Sequence, residues 1–210
     1  YFAIFTAATL LIAFNILSQM GNVGDSLRHA AFQVASIMTT TGFATTDFDQ
    51  WPEFSRTLLV MLMFIGACAG STGGGIKVSR ILMYMKTIKK ELGILIHPRS
   101  VKIVMMDGKK LDHPVVRAAN IFLISYAGIL VASILLLTID NFDFTTNVTA
   151  VISALNNIGP GLSLVGPAGN FAFFSGFSKY VLMFDMLAGR LEIFPMLLLF
   201  VPYTWKKYHG

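Results

Sequence analysis

The stretches Thr40-Thr41-Gly42-Phe43-Ala44 and Asn157-Ile158-Gly159-Pro160-Gly161 decide how this chain folds. Set Gly42 on Gly159 and they stand 117 positions apart. Each follows a short, modestly apolar segment (residues 27–38 and 146–155), and each is flanked further out by long apolar runs. The order is therefore helix, half-helix, glycine-containing extended segment and helix, used twice. In such a layout the backbone carbonyls of the extended segment can replace an ion's hydration shell. Glycine suits the segment because it reaches φ values closed to other residues and lets several backbones crowd one axis. Either string alone is compatible with an ordinary turn. Two of them, in register inside a duplicated hydropathy pattern, point to a pore.

Composition agrees. Of the 210 residues 55% are hydrophobic and only 13% charged, with mean hydropathy +0.68. Soluble domains average about 25% charged residues, so the chain reads as a membrane protein. It begins at Tyr1 and has no basic head, short apolar core and small-residue cleavage site, so it reads as a piece of something longer. The single Cys68 excludes an internal disulfide framework and a cysteine-based metal cluster. A net charge of +5 could suggest nucleic acid, but its distribution argues against that partner. Ten of the 16 Lys and Arg residues fall within 77–117, against three acids there: Glu91, Asp107 and Asp112. A connection this basic between apolar spans obeys the positive-inside rule. Residues 77–117 and the end with Lys206 and Lys207 are therefore assigned to the cytoplasm.

Working outward, residues 1–19 are a continuous apolar run, long enough at about 20 residues to cross the hydrocarbon core. Asp25 is placed to cap the next helix, roughly 26–38, which is too short to cross. Such a half-helix either lies on the surface or enters and turns back. Irregular backbone is tolerated at membrane depth only where it lines a cavity, which the pore reading supplies. Asp25, Asp47, Asp49, Glu53, Asp140 and Asp143 would then face one side, either as a cation-attracting rim or as plain solvated loops.

The helix from Phe54 is expected to run to Gly70, about 25 Å at the standard rise, and to meet Gly70-Ser71-Thr72-Gly73-Gly74-Gly75. In a soluble protein that string would suggest a phosphate loop. The motif needs Lys straight after its last Gly, and here Ile76 precedes Lys77. No His, Cys or carboxylate cluster accompanies it, so an enzyme site lacks its parts. A flexible intramembrane loop under the filter is the better account. Residues 76–96 read as an amphipathic helix ended by His97-Pro98, and residues 99–113 as a short β-hairpin around Asp107-Gly108. That basic hairpin is either a docking surface for a regulatory partner or a connector. Residues 115–139 form the next span, Thr145 or Thr146 is expected to cap the second half-helix, and the last span covers 179–203.

Arg190 stands out. It lies 11 positions after Lys179, about 17 Å along a helix and so near mid-membrane. Intramembrane arginine costs at least about 2.5–3.5 kcal/mol and faces a cavity or a partner. It either faces the pore or gate, or forms an ion pair with Asp185 or Glu192. His29, His97, His113 and His209 have no metal-ligand spacing, and the sequon Asn147-Val148-Thr149 falls inside the half-helix.

At this point the residues resemble one family, the Trk/Ktr/HKT superfamily of potassium uptake proteins, of the bacterial TrkH type. Four strings carry the resemblance and span the chain: Thr39-Thr40-Thr41-Gly42-Phe43-Ala44-Thr45-Thr46-Asp47, Gly70 through Lys77, Leu155-Asn156-Asn157-Ile158-Gly159-Pro160-Gly161, and Ala188-Gly189-Arg190-Leu191-Glu192-Ile193-Phe194. The resemblance implies an all-α integral membrane fold of two tandem helix–pore-loop–helix repeats, potassium-channel-like, forming half of a pseudo-fourfold pore. Residues 1–96 would be one repeat with a gate loop at 71–75, residues 97–113 a cytoplasmic connector, and residues 114–210 the second repeat. Thr40, Thr41, Gly42, Phe43, Asn157, Ile158, Gly159 and Pro160 would form the filter, with K+ at Thr40, Thr41, Asn157 and Ile158. Gly70, Ser71, Thr72, Gly73, Gly74, Gly75 and Arg190 would form the gate. It further implies potassium uptake in a bacterial inner membrane, a sodium-permeable or symporting variant being the alternative. Missing repeats or a second copy would complete the pore. A homodimer and a cytosolic TrkA-type nucleotide-binding ring are the implied partners, with no organic cofactor.

Overall fold

The computed structural model describes residues 1–66, 68, 71, 73–97, 105–106, 109–111, 113–191 and 196. Expectations on Gly70, Thr72, the hairpin turn Asp107-Gly108, Glu192 and the last span beyond Leu191 lie outside these, Met196 excepted. Helix α1, Phe2–Met20, ends at Gly21, whose left-handed φ of 65° closes the final turn through an N–H bond to the Leu17 carbonyl. Helix α2, Val23–Met38, starts earlier than the acidic signal suggested. Asn22 is its cap, accepting the Gly24 N–H at 3.0 Å, while Asp25 sits in the first turn and pairs with Arg28 at 3.1 Å. Sixteen residues reach about 24 Å, short of a hydrocarbon core of about 30 Å.

The next helix departs from expectation. Helix α3 spans Glu53–Phe64 only, and Ile65–Gly66 (β1) pairs in parallel with Ile76–Lys77 (β2), Ile65 opposite Ile76. Backbone groups of Ile65 and Gly66 that would have continued the helix are spent on this pairing. The glycine-rich segment is thereby an insertion whose two ends are stitched together. Helix α4 then covers Val78–Ile96, two residues shorter at its start than the sequence pattern, and His97 ends it as expected. A short antiparallel pair, Met105–Met106 (β3) with Lys109–Lys110 (β4), follows, and Lys86 Nζ donates to the Met105 carbonyl at 2.8 Å.

Helix α5, His113–Leu137, continues into a 3-10 turn at Thr138–Asp140. Helix α6, Phe144–Leu155, is capped by Asp143 rather than by a threonine: Thr146 donates both its N–H and its hydroxyl to that carboxylate. Helix α7, Gly176–Arg190, is capped by Ser175, which accepts the Ser178 N–H. Among the described residues, Phe2–Met20 and Pro114–Asp140 are long and apolar enough to cross a membrane.

The half-helices lie at the centre. Ala30, Val34, Ile37 and Met38 of α2 pack with Ile12 and Ile16 of α1 and Leu59, Leu62 and Met63 of α3. On α6, Ala150, Val151 and Ala154 pack with Leu137 and Leu182, and Leu155 packs with Phe122, Tyr126 and Ala188. Ile158 and Leu162 cross over and complete the core of the first repeat. In a membrane such contacts hold by close packing rather than by transfer out of water, and the second extended strand is anchored by the first repeat's packing.

Candidate ion filter and gate

Both half-helices end in the same hydrogen-bonded turn, residue for residue. Thr39 N–H bonds the Ala35 carbonyl at 2.9 Å, and Asn156 N–H bonds that of Ile152 at 3.0 Å. Thr40 and Asn157 then reach back to Ile37 and Ala154 (3.1 and 3.0 Å), and Thr41 and Ile158 to Ser36 and Ser153 (2.8 and 3.0 Å). Every pair is 117 positions apart. Thr40 and Asn157 both hold left-handed backbone, φ 55° and 54°. For a β-branched threonine that is an outlier and a cost of order 1–3 kcal/mol, of the kind stored at functional sites. The bend turns the strand away from the helix and leaves the negative ends of both helix dipoles aimed at its base, an arrangement that favours a cation.

The two strands touch. Gly42, at φ 81°, lies so close to Ile158 that a Cβ there would collide with the Ile158 carbonyl and come within 3.4 Å of Pro160 Cδ. Only glycine permits this approach. Hydroxyls latch each strand to its half-helix: Ser36 Oγ donates to the Phe43 carbonyl at 2.6 Å, and Ser153 Oγ to the Gly159 carbonyl at 2.7 Å. One lone pair on each of these two carbonyls is thus taken. The carbonyls of Thr40, Thr41, Gly42, Asn157 and Ile158 are the better set to face an ion. Phe43 itself is exposed. Beside the strands, a cleft of about 770 Å³ is bounded by Thr40, Thr41, Asn157, Ile158 and Gly159 and by Lys179, Leu182, Met183 and Met186 of α7.

Next to the strands lie the described residues expected to form the gate. A smaller pocket of about 130 Å³ brings together Ser71, Gly73, Gly75, Lys77, Arg80, Tyr126, Gly189 and Arg190. Gly74 abuts the Asn156 backbone, where a Cβ would come within 2.7 Å of the carbonyl carbon. Arg190, exposed on the last turn of α7, lines the same pocket as the loop. Its pairing with Asp185 is not found: Asp185 accepts a hydrogen bond from Ser133 of α5 at 2.7 Å instead.

The six acids expected at one rim are a set of fasteners. Asp49 accepts the Ser163 N–H at 3.0 Å and pairs with Arg56 at 3.1 Å, which joins loops of the two repeats. Asp47 accepts from Asp49 N–H and Gln50, Glu53 pairs with Arg56, and Asp140 accepts the Ser175 N–H. Each of the six expected acids has a partner, so their geometry is fixed by folding even where their charge faces outward. His29 is likewise satisfied, by Thr45 at 3.0 Å.

Sequence reading missed Ser36, Ser153 and Tyr126, and quoted Asn156 without giving it a role. Tyr126 donates to Asn156 Oδ1 at 2.9 Å in a buried site, and Asn156 Nδ2 donates to the Ile152 carbonyl at 2.8 Å. The two serines were findable, since the 117-residue offset maps one hydroxyl onto the other.

Comparison with known proteins accords with this geometry. The family described as TrkH, cation transport protein, matches residues 3–207. The Trk system potassium uptake protein TrkH of Salmonella typhimurium is 39% identical over 203 residues, covering 95% of this chain and 42% of that protein. Its namesake from Vibrio parahaemolyticus is 44% identical over 183 residues, 87% of this chain and 37% of that protein. The crystal structure of the potassium transporter TrkH from Vibrio parahaemolyticus superposes with a TM-score of 0.88 at 40% identity, over 98% of this chain and 44% of that one. The chain thus spans less than half the length of the relatives it matches. With two helix–pore-loop–helix repeats on that shared fold, it is an integral membrane protein and belongs to the TrkH cation transport family.

Proposed function

We propose that this chain supplies two of the filter strands, and the gate, of a potassium uptake pathway across a bacterial inner membrane. The observation that carries the reading is the contact between two extended strands built by one repeated turn, Gly42 against Ile158. Five carbonyls, those of Thr40, Thr41, Gly42, Asn157 and Ile158, take the place of water around a dehydrated potassium ion. The glycine segment at 71–75 and Arg190 close the path beneath. Further repeats in the same polypeptide, or a second copy, complete the ring of strands. The relatives' names and their greater length support this reading. The units are one repeat at 1–96, a connector at 97–113 that contacts a cytosolic nucleotide-binding ring, and a second repeat at 114–210.

The test is flux of potassium and sodium into liposomes carrying the full-length protein. Gly42→Ser adds a side chain where the Ile158 carbonyl already stands, so potassium preference should drop by about tenfold or more. Unchanged preference would remove this strand from the filter.

A further inference from the structure

Asp185 is the one carboxylate of α7 that the pore reading leaves without work, and it is fully buried. Leu182, Asp185 and Ala188 share one face of the helix at successive turns. Leu182 packs into the cluster with Val151 and Ala154, and Ala188 into the cluster with Tyr126 and Leu155. The carboxyl therefore sits between two apolar clusters where α7 meets α5 and α6. Oδ1 accepts the Ser133 hydroxyl at 2.7 Å, while Oδ2 has no hydrogen-bond partner. Among the described residues, no charged group that could offset an ionised carboxylate faces it. On α5, Tyr126 is near enough to feel its charge. Helix α6 carries no titratable residue. On α7, Lys179, Tyr180 and Arg190 lie five or six positions away, off its face.

An isolated ionised carboxylate in such surroundings is far costlier than a neutral one. We infer that Asp185 is a proton-binding site that couples the packing of α7 against α5 and α6 to the filter base. With its proton bound, the acid is accommodated. When Oδ2–H gives its proton to water, the charge left behind favours a state in which α7 draws away from the two clusters. Four residues further on, Gly189 rests against the Leu155 carbonyl, and Asn157 Nδ2 donates to the Met186 carbonyl at 3.0 Å. Those contacts hold the second filter strand and separate with α7. Ion flux is therefore highest with Asp185 protonated and falls at alkaline pH.

This inference rests on the filter reading for its effect on flux but not for the proton itself, and the experiment has an arm for each. Infrared spectra of the full-length protein at neutral pH should contain a protonated-carboxyl carbonyl band that is absent in Asp185→Asn. Ser133→Ala, which removes the hydrogen bond to Oδ1, should move that band to higher wavenumber. In liposomes, wild-type flux should fall by about tenfold or more as pH is raised, reflecting the cost of a buried charge, while Asp185→Asn stays flat. Lack of the band at neutral pH, or a band indifferent to both substitutions, overturns the proton site. A band that behaves as stated beside a variant with the wild-type alkaline fall overturns the coupling. Flux without potassium preference in every variant, with the band intact, would instead indict the filter.

Discussion

Tyr126 and Asn156, thirty positions apart, meet through a hydrogen bond of 2.9 Å that no solvent reaches. Asn156 is the last residue before the second extended strand, and its other side-chain group is already spent on the Ile152 carbonyl. The glycine loop approaches the same oxygen, and a Cβ on Gly75 would lie 2.9 Å from Asn156 Oδ1. One asparagine thus sits among a transmembrane helix, the proposed filter strand and the proposed gate. Tyr126→Phe keeps the packing against Phe122 and removes only the donor. It should lower stability by about 1–3 kcal/mol, the cost of an unsatisfied buried acceptor, seen as a lower unfolding temperature in detergent. A variant as stable as wild type would mean that the loop backbone takes over the bond.

The serine latches make a second prediction. Ser153 holds the Gly159 carbonyl and also accepts the Gly159 N–H at 3.0 Å, whereas Ser36 has only the Phe43 carbonyl. Ser153→Ala should therefore loosen its strand more than Ser36→Ala, with a larger loss of potassium-over-sodium preference. Equal effects, or a larger effect at Ser36, would show that the latches are not what shapes the strands.

These latches mark what could be read from the chain and what could not. The repeat, the half-helices and both glycine strands were legible because each depends on local composition and a fixed offset. The stop of α3 at Phe64 was not, since it depends on a parallel pairing between Ile65 and Ile76, partners whose meeting no periodicity announces. The caps failed for a related reason. Asn22, Asp25, Asp143, Thr145 and Thr146 are all good N-caps, and which one serves is decided by where the preceding turn ends. The left-handed backbone of Thr40 runs against its own residue preference, so only its equivalence to Asn157 hinted at it.

Asp143 carries a pH prediction. Burial pushes its carboxyl up, but the Thr146 hydroxyl and N–H, with help from Ser163, outweigh this and hold it below the usual carboxylate range. A folded value below the unfolded one means that the stability it adds is present above the ordinary value of about 3.9 and is lost as pH falls through the folded one. Asn also caps helices well. Asp143→Asn should therefore cost little at pH 7 and remove part of the acid-side fall in unfolding temperature. The effect should stay below about 1 kcal/mol at so exposed a group. A variant with the full wild-type acid-side fall would place that sensitivity elsewhere.

Arg190 and the glycine segment form the last case. Ser71, Gly73 and Gly75 line the same small pocket as Arg190, directly under Asn156 and Leu155. The ends of the segment are tied by the Ile65–Ile76 pairing. A guanidinium brings five donors to that pocket, and its positive charge opposes a cation the more strongly where water is scarce. On the proposed reading, loop and arginine obstruct the path in two ways, one steric and one electrostatic. Removing either should leave the other in force. Deleting residues 73–75, or Arg190→Ala, should each raise potassium flux severalfold while the ion preference set above them is retained. The double variant should exceed both. If instead preference collapses with either change, the loop and arginine support the filter from below rather than closing it. If flux stays at the wild-type level in all three, Arg190 is a structural charge and the barrier lies elsewhere.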